Sequence, residues 1–323
     1  MPKVEQHLHL EGSIRPGTAQ RLAERHGASL PESTEPEFTG FDRFLRAFLA
    51  GLELLRGSED FAEITESLAA ELAEQNVRYA EVTSTPFNHH RRGMAMAEYS
   101  EGLNEGRKRA AQLGVGIGWI LDIPRELEPP ASGFTADYIL GPLAPVGVVG
   151  IGLGGPEPGW PAAGFQRSFA RVASAGLAAL PHAGETAGAA SVWSAIRDLG
   201  AQRIGHGIRS LDDRALLAYL SDHRIPLEIS MTSNVCTGVV ATLADHPIRT
   251  LVEAGVAVTI NTDDPAYFYT TLTKELTIAA SHHGFTLDEL ADLQNTAIDS
   301  SFADPETVGA FRRELEAWLI AGP

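Results

Sequence analysis

Residues 177–208 read LAALPHAGETAGAASVWSAIRDLGAQRIGHGI. The runs at the two ends of this stretch, 177–184 and 203–208, are short and largely apolar, which is typical of strands buried on both faces of a parallel sheet. Between them, residues 190–199 repeat apolar side chains at the three- and four-residue spacing of a helix. The stretch therefore predicts a strand–helix–strand unit with two parallel strands.

The same pattern continues in both directions along the chain. Six further β-rich runs cover residues 4–10, 77–85, 115–123, 146–154, 225–233 and 256–263. Helical spacing recurs between them, at residues 61–75, 165–175, 213–220 and 247–254. Eight strand–helix units that close on themselves predict an α/β fold of the (β/α)8 (TIM) barrel type. A doubly wound open sheet is the alternative, because a count of strands does not prove closure.

Three other segments complete the predicted architecture. Residues 11–76 separate the first two strands, which is more chain than one helix needs, so extra helices are expected there over part of the barrel mouth. The chain from Leu272 onward has a helical pattern and is expected to pack outside the barrel. The Pro- and Gly-rich residues 126–133 predict a surface loop. We expect residues 1–323 to form a single domain, because they contain no internal repeat and no low-complexity linker.

The composition narrows the class of protein. The chain has 323 residues, of which 44% are hydrophobic and 21% are charged, as in ordinary soluble enzymes. A formal charge of −17 disfavours nucleic acid and anionic membranes as partners. No long apolar run and no apolar leader is present, so a cytoplasmic location is expected. Cys236 is the only cysteine, which excludes an internal disulfide; it is interpreted as a packing residue, with a nucleophile as the alternative.

Polar side chains follow several predicted strands at their carboxyl ends, and in a barrel these ends converge on the face where active sites form. His7 and His9 are two residues apart on the first strand, so they point to the same side. His182 lies on the fifth strand and Asp263 on the eighth. Three imidazoles and one carboxylate suit zinc best, with iron, manganese or cobalt as alternatives. A structural network of ion pairs is the competing interpretation.

Two further strand ends carry groups that could move protons. Glu185 could shuttle a proton if its surroundings raise its pKa, or it could cap the helix that follows. His206 lies between two glycines that let the backbone approach closely, and it could orient or deprotonate a water. A core histidine is the alternative for His206. The histidines away from strand ends are interpreted as surface or structural residues, namely His223, His246, His282 and His283.

Six blocks follow one another between residues 2 and 265: PKVEQHLHLEGSIRP, GLGGPE, PHAGET, RIGHGI, TSNVCTG and NTDDP. In their order and spacing they resemble the adenosine deaminase family of the amidohydrolase superfamily. The resemblance implies a barrel with a single zinc ion and a reaction that releases ammonia from C6 of a 6-aminopurine nucleoside, a small-molecule partner. The zinc ligands that it implies are His7, His9, His182 and Asp263.

The resemblance also implies roles for other residues. Glu185 would donate a proton to N1 of the purine, and His206 would hold the attacking water and help to deprotonate it. Asp264 would hydrogen-bond N7 and the Gly155 backbone N–H would face N3, while Glu11 would face the sugar. The residues implied to contact the substrate are thus His9, Glu11, Gly155 and Asp264. A homo-oligomer is compatible with the sequence.

Two departures from the family pattern bear on the substrate. Family members commonly have aspartate in place of Glu11, and glutamate is similar to the adenine deaminase branch. Residues 81–94 read EVTSTPFNHHRRGM, in which Arg91 and Arg92 could bind an anionic group beyond the sugar or form a solvated loop. This stretch is similar to bacterial aminodeoxyfutalosine deaminases of menaquinone biosynthesis, whose substrate carries a benzoate. Aminodeoxyfutalosine is therefore the favoured substrate, with adenosine, 2′-deoxyadenosine and adenine as alternatives.

Two other classes of function compete with a one-zinc deaminase. Amidohydrolases with two metals usually have a carboxylated lysine at the end of the fourth strand, where this chain has GLGG. An inactive deaminase-like binding protein would have lost Glu185 or a zinc ligand, and none of them is missing. The sequence therefore favours an aminohydrolase.

Overall fold

The computed structural model describes residues 1–30 and 40–322. Within these residues, eight parallel strands form a sheet in the order of the sequence. The strands are β1 (Lys3–His9), β2 (Val77–Ser84), β3 (Gly116–Pro124), β4 (Val148–Gly154), β5 (Ala178–Ala183), β6 (Ile204–His206), β7 (Leu227–Ile229) and β8 (Val258–Ile260).

The two edges of this sheet meet. Leu8 forms a parallel bridge with Asp263. The His9 backbone N–H donates to the Asp263 carbonyl oxygen at 2.8 Å, and the Asp263 N–H donates to the His7 carbonyl oxygen at 3.0 Å. The prediction of a (β/α)8 barrel is confirmed, and the open doubly wound sheet is excluded.

Helices surround the barrel in the described part of the chain. They are α1 (Pro16–His26), α2 (Phe41–Gly51), α3 (Ser58–Glu74), α4 (Pro86–Arg91), α5 (Met96–Gln112), α6 (Pro130–Leu140), α7 (Gln166–Ser174), α8 (Ala189–Leu199), α9 (Arg214–His223), α10 (Met231–Cys236), α11 (Ile248–Glu253), α12 (Leu272–His283), α13 (Leu287–Ser300) and α14 (Pro305–Ala321). None of these helices is long and apolar enough to cross a membrane.

The additions to the barrel lie where the sequence predicts them. Helices α1 to α3 occupy the connection between β1 and β2, and α2 packs Phe44 and Phe48 against Phe268 from the chain beyond β8. The carboxyl-terminal helices lie outside the barrel, where Leu315 of α14 packs in a buried cluster with Val4 of β1. Both predictions are confirmed.

The seventh strand is shorter than predicted. It ends at Ile229, and Met231–Cys236 form α10 instead of continuing the predicted strand to residue 233. The side chain of Thr232 donates to Glu275, and that of Ser233 donates to Asp263 at 2.5 Å. These hydroxyl groups therefore bind buried carboxylates, an arrangement that competes with pairing in the sheet.

Residues 126–133 are not the loop that their proline and glycine content predicts. A 3-10 turn covers Arg125–Leu127, and α6 begins at Pro130. Proline suits the first position of a helix because its missing N–H would have no partner inside the helix. Glu128 accepts a hydrogen bond from the Ser132 N–H at 2.9 Å, which satisfies another free donor of the first turn.

Candidate active site

Four side chains from three parts of the barrel meet at the carboxyl ends of the strands. His7 and His9 belong to β1 and His182 to β5, while Asp263 follows β8. The Nε2 atoms of His9 and His182 are 3.3 Å apart. Asp263 Oδ1 lies 3.3 Å from the Nε2 atoms of both His7 and His9. One ligand atom from each of the four lies within 4.8 Å of the others, so together they could hold a metal ion.

The chemistry of these four side chains fits a divalent metal. His7 Nε2 is buried and has no hydrogen-bond partner in the described part of the chain. Burial opposes ionisation of Asp263, but the imidazoles of His7 and His9 close to it hold the pKa of its carboxyl well below the usual range. Burial, together with the nearby His7 and His9, lowers the pKa of His182 and keeps its lone pair available. The result is an N3O ligand set.

Buried charges orient the His7 ring. His7 Nδ1–H donates to Glu228 Oε2 at 2.8 Å, and Glu228 Oε1 accepts from Arg203 Nε at 2.6 Å. Arg203 also donates to Glu81 and to the Ser300 carbonyl oxygen. Because Nδ1 carries the proton, the Nε2 lone pair of His7 faces the ligand cluster. The sequence reasoning missed Glu228, Arg203 and Glu81, although a glutamate inside the apolar run of β7 was a signal.

Glu185 is buried behind the ligand cluster. Helix α8 has Gly188 at its N-cap and no side-chain cap, so Glu185 does not cap it. Instead, Glu157 accepts hydrogen bonds at 2.8 Å from the N–H groups of Gly184, Glu185 and Thr186, which shapes the PHAGET turn. Burial and the Asp263 charge raise the pKa of Glu185 well above its usual value. A carboxyl whose pKa is raised in this way holds its proton to higher pH and can act as a proton donor.

His206 is held in a left-handed backbone conformation with φ at 61°. Gly205 is needed beside it, because a Cβ there would lie 2.7 Å from the His7 ring. The His206 Nε2 atom lies 3.8 Å from Asp263 Oδ2 and 3.9 Å from Glu185 Oε2. Burial lowers the pKa of His206 to about 4, against the raising effect of Asp263. His206 is therefore neutral near pH 7 and faces both acidic groups.

A chain of hydrogen bonds determines which nitrogen of His206 carries the proton. The Ile248 N–H donates to His246 Nδ1 at 3.2 Å, so His246 Nε2–H donates to Asn234 Oδ1 at 3.1 Å. The Asn234 amide then donates to His206 Nδ1 at 3.1 Å. The proton of neutral His206 therefore lies on Nε2 and points into the site. His246, interpreted from the sequence as surface or structural, is a buried member of this relay.

Asp264 is buried beside the β1 end of the site. A Cβ on Gly12 would overlap the Asp264 carboxyl, which explains the glycine after Glu11. Asp264 Oδ1 has no hydrogen-bond partner among the described residues. Burial and the charge of Asp263 raise the pKa of Asp264 well above its usual value. In its neutral form Asp264 can donate a hydrogen bond to a ligand.

Glu11 is anchored by β2 and α4. Its Oε1 accepts from Ser84 Oγ at 2.6 Å and from His89 Nε2 at 2.9 Å. Burial would raise the pKa of Glu11, but the hydrogen bonds and charge of His89 and the Ser84 hydroxyl outweigh burial and lower it. Glu11 Oε2 is buried and has no partner in residues 1–30 and 40–322. One oxygen of Glu11 is therefore fixed, and the other can accept a further hydrogen bond.

The basic cluster after β2 is divided by the fold. His89 is buried against Glu11, whereas Arg92 pairs with Glu53 at 3.1 Å. Arg91 is exposed, and its charge acts on Glu126 at the pocket. Neither Arg91 nor Arg92 belongs to the pocket lining.

A pocket opens over these groups. The site residues that line it are His9, Gly155, His182, Glu185, His206, Asp263 and Asp264. Helix α2 contributes an apolar wall of Phe41, Phe44, Leu45, Phe48 and Leu49. Asp122 and Glu126 also line the pocket, and the sequence reasoning missed both. Cys236 packs beside the α2 aromatic cluster, and burial raises the pKa of its thiol, so it is a packing residue rather than a nucleophile.

Known proteins are similar to this chain in sequence and in fold. The profile of the adenosine deaminase family matches residues 2–318. The chain belongs to the adenosine deaminase family. It is similar to the aminodeoxyfutalosine deaminase of Streptomyces avermitilis, with 42% identity over 99% of this chain and 92% of the relative. The family assignment makes the chain an aminohydrolase of the metal-dependent amidohydrolase superfamily.

Solved structures of this family have the same fold. The adenine deaminase of Arthrobacter aurescens is 32% identical, with a TM-score of 0.94 over 98% of this chain and 99% of that one. An amidohydrolase from Burkholderia ambifaria with bound zinc is 27% identical, with a TM-score of 0.91 over 98% of this chain and 90% of that one.

Proposed function

We propose that the enzyme is a zinc-dependent deaminase of 6-aminopurine nucleosides and that aminodeoxyfutalosine is its substrate. The observation that carries the proposal is the grouping of an N3O ligand set with two carboxyl groups of raised pKa, Glu185 and Asp264, around one pocket. A purine ring accepts hydrogen bonds at N1 and N7, on the two sides of C6, and two neutral carboxyl groups are the matching donors.

The ligand residues would be His7, His9, His182 and Asp263. A zinc ion bound there would lower the pKa of a coordinated water and so supply a nucleophile at neutral pH. Iron, manganese and cobalt are the other metals that this ligand set accepts.

The proton transfers would be carried by the side chains of the enzyme. Neutral Glu185 would protonate N1, which makes C6 more electrophilic. The Nε2–H of His206 would hydrogen-bond the oxygen of the attacking water, so its tautomer favours orientation of the water over deprotonation. The ionised Asp263 would be the acceptor for the proton of that water. Asp264 would hold N7 and the Gly155 N–H would hold N3. The amino group at C6 would take up the proton held by Asp263 and leave as ammonia. Return of the hydroxyl proton at C6 to Glu185 would leave the 6-oxopurine.

Three features support aminodeoxyfutalosine over a smaller substrate. The Streptomyces relative with 42% identity bears this activity in its name. The α2 wall offers aromatic and aliphatic surface against which an aryl group can pack. Arg91 is exposed at the end of α4, the helix whose Asn88 lines the pocket, so it could offer a cation to a benzoate carboxylate that extends beyond the pocket. Arg92 is a weaker candidate for this contact because Glu53 already binds it.

Adenine is the second candidate substrate. The Arthrobacter structure with a TM-score of 0.94 is that of an adenine deaminase. Glu11, with an unpartnered buried oxygen, could accept a hydrogen bond from a ring N–H of the free base as well as from a sugar hydroxyl.

A deamination screen tests the proposal. Ammonia release is measured for the zinc-loaded enzyme with aminodeoxyfutalosine, adenosine, 2′-deoxyadenosine, methylthioadenosine, S-adenosylhomocysteine and adenine. We expect the highest kcat/KM with aminodeoxyfutalosine and about one zinc per chain by metal analysis. A kcat/KM for adenosine or adenine equal to or above that for aminodeoxyfutalosine would overturn the substrate assignment. A purified chain that binds no metal and releases no ammonia would overturn the reaction as well.

A further inference from the structure

The carboxyl side chains of Asp122 and Glu126 line the pocket next to a glycine-rich segment of backbone. Asp122 lies near the end of β3, and Glu126 lies in the turn that follows. A Cβ on Gly152 or Gly154 would overlap the Asp122 carboxyl, and a Cβ on Gly155 would overlap that of Glu126. The glycines of the GLGG block therefore leave room on β4 for these two groups.

Asp122 lacks the partners that a buried carboxyl normally has. Only 2% of its surface is exposed, and Oδ1 has no hydrogen-bond partner within the described ranges. The buried guanidinium of Arg125 donates instead to the carbonyl oxygens of Leu153, Gly154, Trp160 and His182. An unsatisfied buried acceptor costs about 1–3 kcal/mol. In a pocket wall, such an acceptor indicates that a donor on a ligand completes the hydrogen bond.

Glu126 repeats this feature beside Asp122. Its Oε2 is also buried without a partner in the described residues, and it lines the same pocket. Two adjacent acceptors suit a ligand group with two adjacent donors. An anionic group is disfavoured at this place, because two carboxyl groups would repel it.

The orientation of the substrate identifies the ligand group, and this step rests on the proposed function. With C6 at the metal ligands, N1 at Glu185 and N7 at Asp264, the opposite edge of the purine carries N3 and N9. This edge turns toward β3 and β4, where Asp122 lies. The sugar of a nucleoside is attached at N9, and a ribose offers two neighbouring hydroxyl groups as donors.

We propose that Asp122, with Glu126 beside it, accepts hydrogen bonds from the ribose hydroxyls and makes the enzyme selective for 6-aminopurine ribonucleosides over adenine and deoxynucleosides. Asp122 is then a specificity-determining residue, and the GLGG glycines serve to place it. The contact belongs to the bound sugar and not to the reacting atoms, so its loss affects KM more than kcat.

The test is the Asp122→Asn variant of the zinc-loaded enzyme. Adenosine, 2′-deoxyadenosine, 3′-deoxyadenosine and adenine are measured as substrates, or as competitive inhibitors of the fastest substrate where turnover is slow. The assays are run at pH 8, because burial raises the pKa of Asp122 to about 7 and the carboxylate must be ionised. We expect KM or Ki for adenosine to rise roughly fivefold to tenfold, because the asparagine oxygen can still accept a hydrogen bond but lacks the charge, with kcat changed less than about threefold. The preference for adenosine over its deoxy analogues should weaken by the same factor, and the value for adenine should stay unchanged.

Controls separate binding from folding. Asp292→Asn, an exposed change on α13, should alter none of these values. Asp122→Ala should repeat the loss of ribose selectivity without lowering Tm, because it removes a buried group that has an unsatisfied oxygen. An equal loss of affinity for adenine, or an unchanged preference for adenosine, would overturn the ribose subsite while leaving the deaminase intact. If the wild-type enzyme releases ammonia neither from these purines nor from aminodeoxyfutalosine, the proposed function is wrong, and the ribose subsite is wrong with it.

Discussion

The interior of the barrel contains two layers of buried charged groups: a lower layer around Arg203 and an upper layer that lines the pocket. The two layers differ in whether their hydrogen-bonding groups have partners within the protein. In the lower layer, Arg203 lies between Glu81 and Glu228, and each of these groups has hydrogen-bond partners within the fold. In the upper layer, Asp122 and Asp264 each have a buried oxygen without a partner in the described residues. The lower layer is complete on its own, whereas the upper layer is complementary to a ligand.

This difference separates residues that stabilise the fold from residues that act on a substrate. Each unsatisfied buried group costs about 1–3 kcal/mol. The four that line the pocket in the described part of the chain, on Asp122, Glu126, His182 and Asp264, are therefore interpreted as groups that a ligand satisfies. Glu228 connects the two layers, because one of its oxygens binds Arg203 and the other binds His7, one of the proposed metal ligands. Substitutions in the upper layer should therefore lower enzymatic activity, whereas substitutions in the lower layer should lower the stability of the fold.

The largest effect is expected in the upper layer, from Glu185→Gln. The amide has the same shape but cannot donate a proton to N1 as an acid, so kcat should fall by about 10⁴-fold. Zinc content and Tm should stay at wild-type values, because Glu185 is not one of the proposed ligands. The measurements are ammonia release, metal analysis and thermal unfolding.

Glu98→Gln, on the exposed surface of α5, is the matched control and should keep full activity. Loss of zinc from Glu185→Gln would show that Glu185 is a metal ligand and not the acid.

A substitution in the lower layer should decrease the free energy of unfolding. Arg203→Met leaves Glu81 and Glu228 buried without their shared cation, and breaking a buried ion pair in this way costs about 3–5 kcal/mol of the free energy of unfolding. Urea unfolding followed by circular dichroism measures the change. Arg171→Met removes the exposed pair with Asp137 and should cost less than about 1 kcal/mol. Equal losses for the two variants would contradict the assignment of Arg203 to the stabilising layer.

The sequence predicts the barrel and the grouping of the four proposed ligands for a physical reason. The alternation of strands and helices is visible in the sequence because it follows the pattern of buried residues. Once the barrel has formed, a residue at the carboxyl end of any strand lies at the barrel mouth. His7, His182 and Asp263 meet by this rule. Asp122 obeys the same rule at the end of β3, so it could have been found as a carboxylate following an apolar run.

The parts that the sequence does not predict depend on contacts between distant segments. The strand predicted to reach residue 233 becomes α10 because its hydroxyl groups bind Asp263 and Glu275. The connection of His246 to His206 through Asn234 exists only after this helix has formed. Periodicity carries no information on such side-chain partners.

Glu228 contacts both layers, and we expect Glu228→Gln to produce a smaller effect, on metal affinity. The amide oxygen can still accept from His7 Nδ1, but the amide NH2 then faces the Arg203 N–H in place of an acceptor. The negative charge that makes the imidazole more basic is also lost. Metal affinity should therefore fall about 10- to 100-fold, as is usual when the carboxylate behind a metal-ligating histidine is changed. Competition with a chelator measures the affinity. Glu253→Gln, on the exposed surface of α11, is the control, and an unchanged affinity in Glu228→Gln would separate the lower layer from the metal site.

The smallest effect is expected from the relay behind His206. His246→Phe removes the donor to Asn234 Oδ1, so the amide can turn and the proton of His206 is no longer held on Nε2. One lost hydrogen bond of about 1 kcal/mol corresponds to a fall in kcat of about fivefold, with KM for the substrate nearly unchanged. His246→Gln places an N–H donor near the same position and should restore most of the loss. If His246→Phe lowers Tm but keeps the wild-type kcat, His246 is only a packing residue. If His246→Gln restores kcat, a residue outside the pocket controls the tautomer of His206.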